Sequence, residues 1–255
     1  MPDTGKNPFV MAITSGKGGV GKSVLAANLG RCLAESGVKT LVWDADRFFP
    51  NQHFIFGCEP PVRLNDVYSG KVTANRAIFK IEENLSLLAE TPPNEYIRQD
   101  AELSLLDIYR HVTMLTDFDV ILLDTPAGLS EQVLDCCQIA DAISLVVTDE
   151  PTSLLDAYGL VKILLQFTER ENLNIIVNNV IDFEDASDIS TKLNLATKRF
   201  LKVELEGLGF VPYNRVVRQS ILLQELFVKT DPDSDVSRAL RRLSAKVSEK
   251  YLITA

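Results

Sequence analysis

Ser15-Gly-Lys-Gly-Gly-Val-Gly-Lys-Ser23 is the stretch that decides how this chain folds. An apolar run, Phe9 to Thr14, precedes it and reads as a buried strand. Val24, Leu25, Leu29, Cys32 and Leu33 follow at helical spacing and stop at Gly37, which suits a helix C-cap. The nine residues therefore occupy a strand–loop–helix turn. Gly16, Gly21, Lys22 and Ser23 satisfy the spacing G-x-x-x-x-G-K-[ST] of a phosphate-binding loop. Glycines at 16, 18, 19 and 21, with Val20 between them, let backbone N–H groups close around a phosphate. The helix opening towards Val24 adds partial positive charge. Lys22 is placed to reach the β- and γ-phosphates, and the Ser23 hydroxyl to ligate Mg²⁺.

Composition bounds the rest. With 255 residues, 46% hydrophobic and 24% charged, the chain suits one large α/β domain or two small ones. No apolar run approaches the roughly 18 residues that span a bilayer, and Met1–Pro8 lack the apolar core of a signal peptide. Cys32, Cys58, Cys136 and Cys137 show no C-x-x-C spacing, so reduced thiols in a cytoplasmic protein are expected. A net charge of −9 argues against nonspecific DNA binding, although Arg238, Arg241, Arg242, Lys246 and Lys250 crowd one segment.

Lys17 is a second lysine inside the loop, and K-G-G-x-G-K-S resembles the deviant Walker A motif of the MinD/ParA class of P-loop ATPases. The resemblance implies ATP and Mg²⁺ as ligands. It also implies a nucleotide-sandwich dimer in which Lys17 reaches the partner's ATP. Lys39–Trp43 reads as a second strand ending in Asp44-Ala45-Asp46, and carboxylates at such strand ends lie where parallel sheets bind ligands. By resemblance Asp46 orients the attacking water and Asp44 helps to hold the metal, so that Lys17, Lys22 and Asp46 carry the chemistry. The class usually continues L-G-L-A-N; here Arg47-Phe-Phe-Pro50 leads to the matching Asn51, assigned by resemblance to the dimer interface. Phe48, Phe49, Phe54 and Phe56 read as core, or the first two as a partner surface. Asp119–Asp124 is a buried strand with Walker B logic, its last carboxylate organising the water shell of Mg²⁺. Ser23, Asp44, Asp46 and Asp124 are the expected metal set, and Gly128 is a switch glycine whose N–H approaches the γ-phosphate.

Further strands are expected at Asn84–Ala89, Ala142–Thr148, Asn174–Val177 and Gly207–Tyr213. Helical spacing marks Leu64–Tyr68, Leu103–Leu115, a run from Thr152-Ser153 to Phe167, Lys192–Leu201 and Val236–Tyr251, with a polar loop at Glu90–Asp100. Glu150-Pro-Thr-Ser-x-x-Asp156-Ala-Tyr158, Phe200-Leu201 and Val211-Pro-Tyr213 resemble the FlhG (FleN) branch, the MinD-like regulators of flagellar number and placement. The resemblance implies that Glu150 and Asp156 face the dimer partner and that Asn178 and Pro212 border adenine. The branch usually has Asp where this chain has Asn214, and its D-Q-A-x-x-L-R motif is absent. Alternation of strands and helices predicts an α/β fold: a doubly wound, mainly parallel sheet flanked by helices, with residues 1–255 as one domain. Residues 1–8 are expected to be a flexible N-terminus, and 236–255 a terminal helix and tail docked on the body.

The expected function is an Mg²⁺–ATP-dependent homodimeric switch for flagella, partnered by a flagellar GTPase or a transcription regulator. Membrane contact is expected to be weak or indirect, at most peripheral at the inner face, and nucleic acid is not expected as a ligand. Two alternatives stand: a ParA- or MinD-type positioning ATPase, and an ATP-binding inhibitor of a transcription factor with vestigial hydrolysis.

Overall fold

The computed structural model describes residues 7–91, 104–115 and 117–252. Most of the expected polar loop at 90–100 and of the flexible start at 1–8 lies outside the described residues, as do 253–255. In chain order the elements are β1 (Phe9–Ser15), α1 (Lys22–Glu35), β2 (Thr40–Asp44), α2 (Gln52–Ile55), α3 (Leu64–Tyr68), α4 (Ala74–Ala77), β3 (Ile78–Glu82) and β4 (Leu85–Leu88). They continue with α5 (Leu105–Leu115), β5 (Val120–Ala127), α6 (Glu131–Gln138), β6 (Ala142–Val147), α7 (Pro151–Leu164), β7 (Leu173–Val180) and α8 (Phe183–Ala196). The last are β8 (Glu206–Pro212), α9 (Arg215–Leu223), α10 (Phe227–Thr230) and α11 (Asp235–Val247).

Eight strands form one sheet in the order β3-β4-β2-β5-β1-β6-β7-β8. All neighbours are parallel except β3 and β4. The central strands are buried on both faces, which is why they read as continuous apolar runs rather than alternating ones. Alternate residues serve two cores. Val10, Ala12, Leu41, Trp43, Ile121 and Leu123 face one, and Met11, Ile13, Val42, Val120 and Leu122 the other. Because β1 lies at the centre with chain excursions on both sides, the carboxyl ends of β1, β2, β5, β6, β7 and β8 share one edge. Such a switch point is where doubly wound sheets hold ligands.

Several expectations need correction. The antiparallel edge strand β3 is absent from the sequence reading, as its half-exposed residues carry neither a buried run nor a clean alternation. Helix α6 is absent too, although Ser130 caps it through the Val133 amide. Helix α8 begins at Phe183, capped by Asp182, well before Lys192. Thr152 and Ser153 do not cap α7: Glu150 holds the cap position with Pro151 after it, and the Ser153 hydroxyl instead accepts from the Thr148 amide. Phe48 and Phe49 are 63% and 77% exposed, which excludes them from the core.

The C-terminal helix is docked on the body. Val236, Leu240, Leu243 and Val247 are buried against the α1 face of the sheet, and Tyr251 stacks on Phe9 at 4.7 Å. Leu240 has no exposed surface, so its burial contributes about 1.5–3 kcal/mol. Leu240→Ala removes that and leaves a cavity. We expect a loss of about 2–5 kcal/mol in urea unfolding; a loss below about 0.5 kcal/mol would mean that α11 is not integral to the fold.

Candidate functional site

The loop between β1 and α1 has the backbone that its glycines imply. Gly21 is left-handed at φ 92°, and a Cβ there would overlap the Asn178 side-chain amide. Gly16 lies so close to the Asp156 backbone that a Cβ would overlap it. Any side chain at either position would displace the start of α7 or the end of β7. Asn178 fixes the loop from the other side, its Nδ2 donating to the Val20 carbonyl at 2.7 Å. Gly18 and Gly19 remain exposed, and Lys22 opens α1.

Lys22 is buried, and desolvation lowers its pKa against the opposing pull of Asp124 and Asp46. Asp124 sits beside Asp44 in the paired register of β5 and β2, and both are buried. Burial raises the pKa of Asp124 to about 6, held down by the Gln52 amide, the Ser23 hydroxyl and Lys22. Asp44 is pushed well above the usual carboxylate range by burial and by Asp124.

Asp44 spends both its oxygens on the backbone. Oδ1 accepts from the Asp46 amide at 3.2 Å, and Oδ2 from the Asn51 and Gln52 amides at 3.0 Å each. These bonds shape the loop that follows β2. Asp46 accepts from the Phe48 and Phe49 amides at 3.1 and 2.9 Å, which closes a turn. The Gly128 N–H donates to the Ser15 carbonyl at 2.9 Å and continues the pairing of β1 with β5.

Lys17 and Glu150 meet within one subunit. The ammonium pairs with the Glu150 carboxylate and donates to the Thr152 hydroxyl at 3.0 Å. The two side chains are 35% and 63% exposed. Asp156 is exposed beyond them, and Asn51 is half-buried with its Oδ1 unpartnered.

Beside the loop lies a cavity of about 660 Å³, lined among others by Val24, Asn178, Pro212, Arg218 and Phe227. That volume suits a nucleoside. Asn214, also in the cavity wall, caps α9 by accepting from the Val216 amide at 3.1 Å.

Three groups of the site escape sequence reasoning. Gln52 is wholly buried and donates to the Ser23 carbonyl and to Asp124 Oδ2. Gln132 of α6 donates to the Ala45 carbonyl, tying the two loops together. Arg47 lies 3.8 Å over the Tyr68 ring with its Nε 3.9 Å from buried Glu90. Their partners are distant in sequence, so no local motif announces them.

Magnesium fits this edge. Among the described residues no three His, Cys, Asp or Glu side chains cluster to hold a metal. Mg²⁺ does not need such a cage, as it takes one or two protein oxygens and completes its shell with phosphates and water. Asp124 Oδ1 is a buried acceptor without a hydrogen-bond partner, next to Ser23 at the phosphate cradle.

The ParA family model, described as NUBPL iron-transfer P-loop NTPase, matches residues 8–248. The chain is 29% identical to the antiactivator FleN of Pseudomonas aeruginosa over 239 residues, 93% of this chain and 85% of that one. It is 27% identical to the flagellum site-determining protein YlxH of Helicobacter pylori over 250 residues, 97% and 84% of the two chains. The cell division ATPase MinD of Pyrococcus furiosus superposes with a TM-score of 0.79 at 25% identity, covering 94% of this chain and 98% of that one.

Burial raises the pKa of Glu90 to about 7, opposed by the Thr91 amide, Arg47 and Tyr68. Its stabilising contribution is therefore complete below about pH 4.5 and lost as pH rises through 7. At pH 8 a buried ionised carboxylate remains, at a cost of roughly 3 kcal/mol. We expect Glu90→Gln to raise the thermal midpoint by about 5 °C at pH 8 and to leave it unchanged at pH 4.5. Equal midpoints at pH 8 would contradict this electrostatic account.

Proposed function

The chain belongs to the ParA/MinD family of P-loop NTPases and is an ATPase of that class, and from this premise we propose that it is an Mg²⁺–ATP-dependent dimerising switch controlling flagellar number or placement. The likeness to FleN and YlxH supports the flagellar assignment. The position of Lys17 carries the switch. A loop that already places Lys22 on the phosphates holds a second ammonium at the surface, away from that cradle. Its resting partner, Glu150, is mostly exposed, and such pairs contribute only about 0–1 kcal/mol. Closure of a second subunit can therefore displace Glu150 at small cost and deliver Lys17 to the partner's γ-phosphate.

In this reading the amides of residues 16–22 and the Lys22 ammonium hold the triphosphate, and the 660 Å³ cavity takes the nucleoside between Val24, Asn178 and Pro212. Ser23 and Asp124 would hold magnesium, which would supply positive charge to the phosphates. Asp46, fixed by its turn, positions water. Asn51, Glu150 and Asp156 line the dimer face, and the full chain 1–255 acts as one domain. Phe48 and Phe49 project from the same loop as Asp46, so a protein bound to them would read the nucleotide state. A flagellar GTPase or a transcription regulator fits that role, with the protein in the cytoplasm. No helix among the described residues is long and apolar enough to cross a membrane, and any membrane contact is peripheral.

Lys17→Ala should bind ATP within about threefold of the parent, stay monomeric and lose turnover by on the order of 10³-fold, the scale of a trans-acting cation in phosphoryl transfer. Asp46→Ala should bind ATP, dimerise and remain trapped. Light scattering with ATP and with ADP, beside phosphate release, reads both. A Lys17→Ala protein that dimerises and turns over normally overturns the switch.

A further inference from the structure

Gln52 is a buried side chain that joins the phosphate loop, the β5 carboxylate and the loop after β2. Its side-chain nitrogen donates to the Ser23 carbonyl at 3.0 Å and to Asp124 Oδ2 at 2.8 Å. Both partners are acceptors, which fixes the amide with its nitrogen towards them. Its own backbone N–H donates to Asp44 Oδ2. The residue is fully buried, and a buried primary amide is costly unless its polar atoms are satisfied. Yet Gln52 Oε1 has no hydrogen-bond partner, and neither has Asp124 Oδ1. Asp124 Oδ1, on the carboxylate that the Ser23 side chain approaches, is thereby an acceptor left for a cation or its water, and the Gln52 nitrogen holds the other oxygen in place.

We propose that Gln52 is a positioning residue of the magnesium site: it holds Asp124 and Ser23 in cation-binding geometry and passes the cation's arrival to the loop bearing Asp46. The inference rests on the Mg²⁺–ATP reading above. Two features carry it further. Without a cation, the Gln52 amide is the hydrogen-bond donor to buried Asp124 Oδ2, so its removal leaves a buried carboxylate oxygen unpaired. With a cation, outer-sphere partners of this kind set metal affinity, their loss weakening it by about 10–100-fold. Gln52 starts α2, whose first turn is anchored on Asp44, and Asp44 also binds the Asp46 amide. A shift of the Gln52–Asp124 contact is thereby felt six residues upstream.

The test is a titration of a fluorescent ATP analogue against Mg²⁺, with an EDTA baseline, on the full chain. In the parent protein Mg²⁺ should tighten binding; a parent without Mg²⁺ dependence would overturn the Mg²⁺–ATP reading and this inference with it. Gln52→Leu, close in volume but unable to donate, should raise the half-saturating Mg²⁺ concentration about tenfold or more. Its nucleotide affinity in EDTA should stay within about twofold. An unchanged Mg²⁺ midpoint with a Mg²⁺-dependent parent overturns the role of Gln52 alone. Gln52→Glu separates positioning from packing and decides the matter if the leucine variant does not fold. It places a second carboxylate against Asp124, so its thermal midpoint should fall in EDTA and recover to the parental value in millimolar Mg²⁺ with nucleotide. A loss of equal size in both conditions would mean a packing role only and overturn the proposal.

Discussion

Two carboxylates, Asp44 and Asp124, lie side by side inside the sheet, and the nucleotide edge is arranged around keeping them there. Desolvating neighbouring like charges is costly, and the chain meets that cost with different donors. Asp44 receives three backbone amides from the residues that follow it, so its charge is spent on bending the chain. Asp124 receives the Gln52 amide and lies near Lys22, and keeps one oxygen without a partner. The same pair of strands thus carries one carboxylate engaged by backbone amides and one with an unpartnered oxygen. The division follows from which of them has backbone N–H groups within reach.

Charge at the rim is held more loosely. Lys22 is buried at the start of α1, whereas Lys17 is half exposed and held by a mostly exposed glutamate. An interaction of about 0–1 kcal/mol can be exchanged by a partner, while a buried ammonium cannot move without breaking the site. This contrast in burial separates two lysines five residues apart.

The phosphate loop was legible in the sequence because its residues are contiguous and each has a local reason: glycines for positive φ and close approach, a lysine and a serine at the helix start. The mainly parallel sheet was legible because its central strands are continuous apolar runs. The Val236–Val247 stripe was legible from its spacing, and the structure buries it. What sequence could not supply was pairing at a distance. Gln52 reads as one more polar residue after Asn51 until Asp124, 72 positions on, is placed against it. The bonds that Gly128 and Asp44 make, to the backbone of Ser15 and Asn51, likewise join segments that no local motif connects. Glu90 looked like the start of a polar loop, yet it is buried beside Arg47 and Tyr68.

In the proposed switch catalysis belongs to two subunits, because Lys17 acts on the partner's nucleotide. ATP turnover per protomer, measured across protein concentrations over which light scattering shows the ATP-bound dimer to dissociate, tests this most directly. A rate per protomer that rises with concentration and levels off as the dimer fills is the predicted result. A rate per protomer that stays constant while the protein passes from monomer to dimer would contradict it.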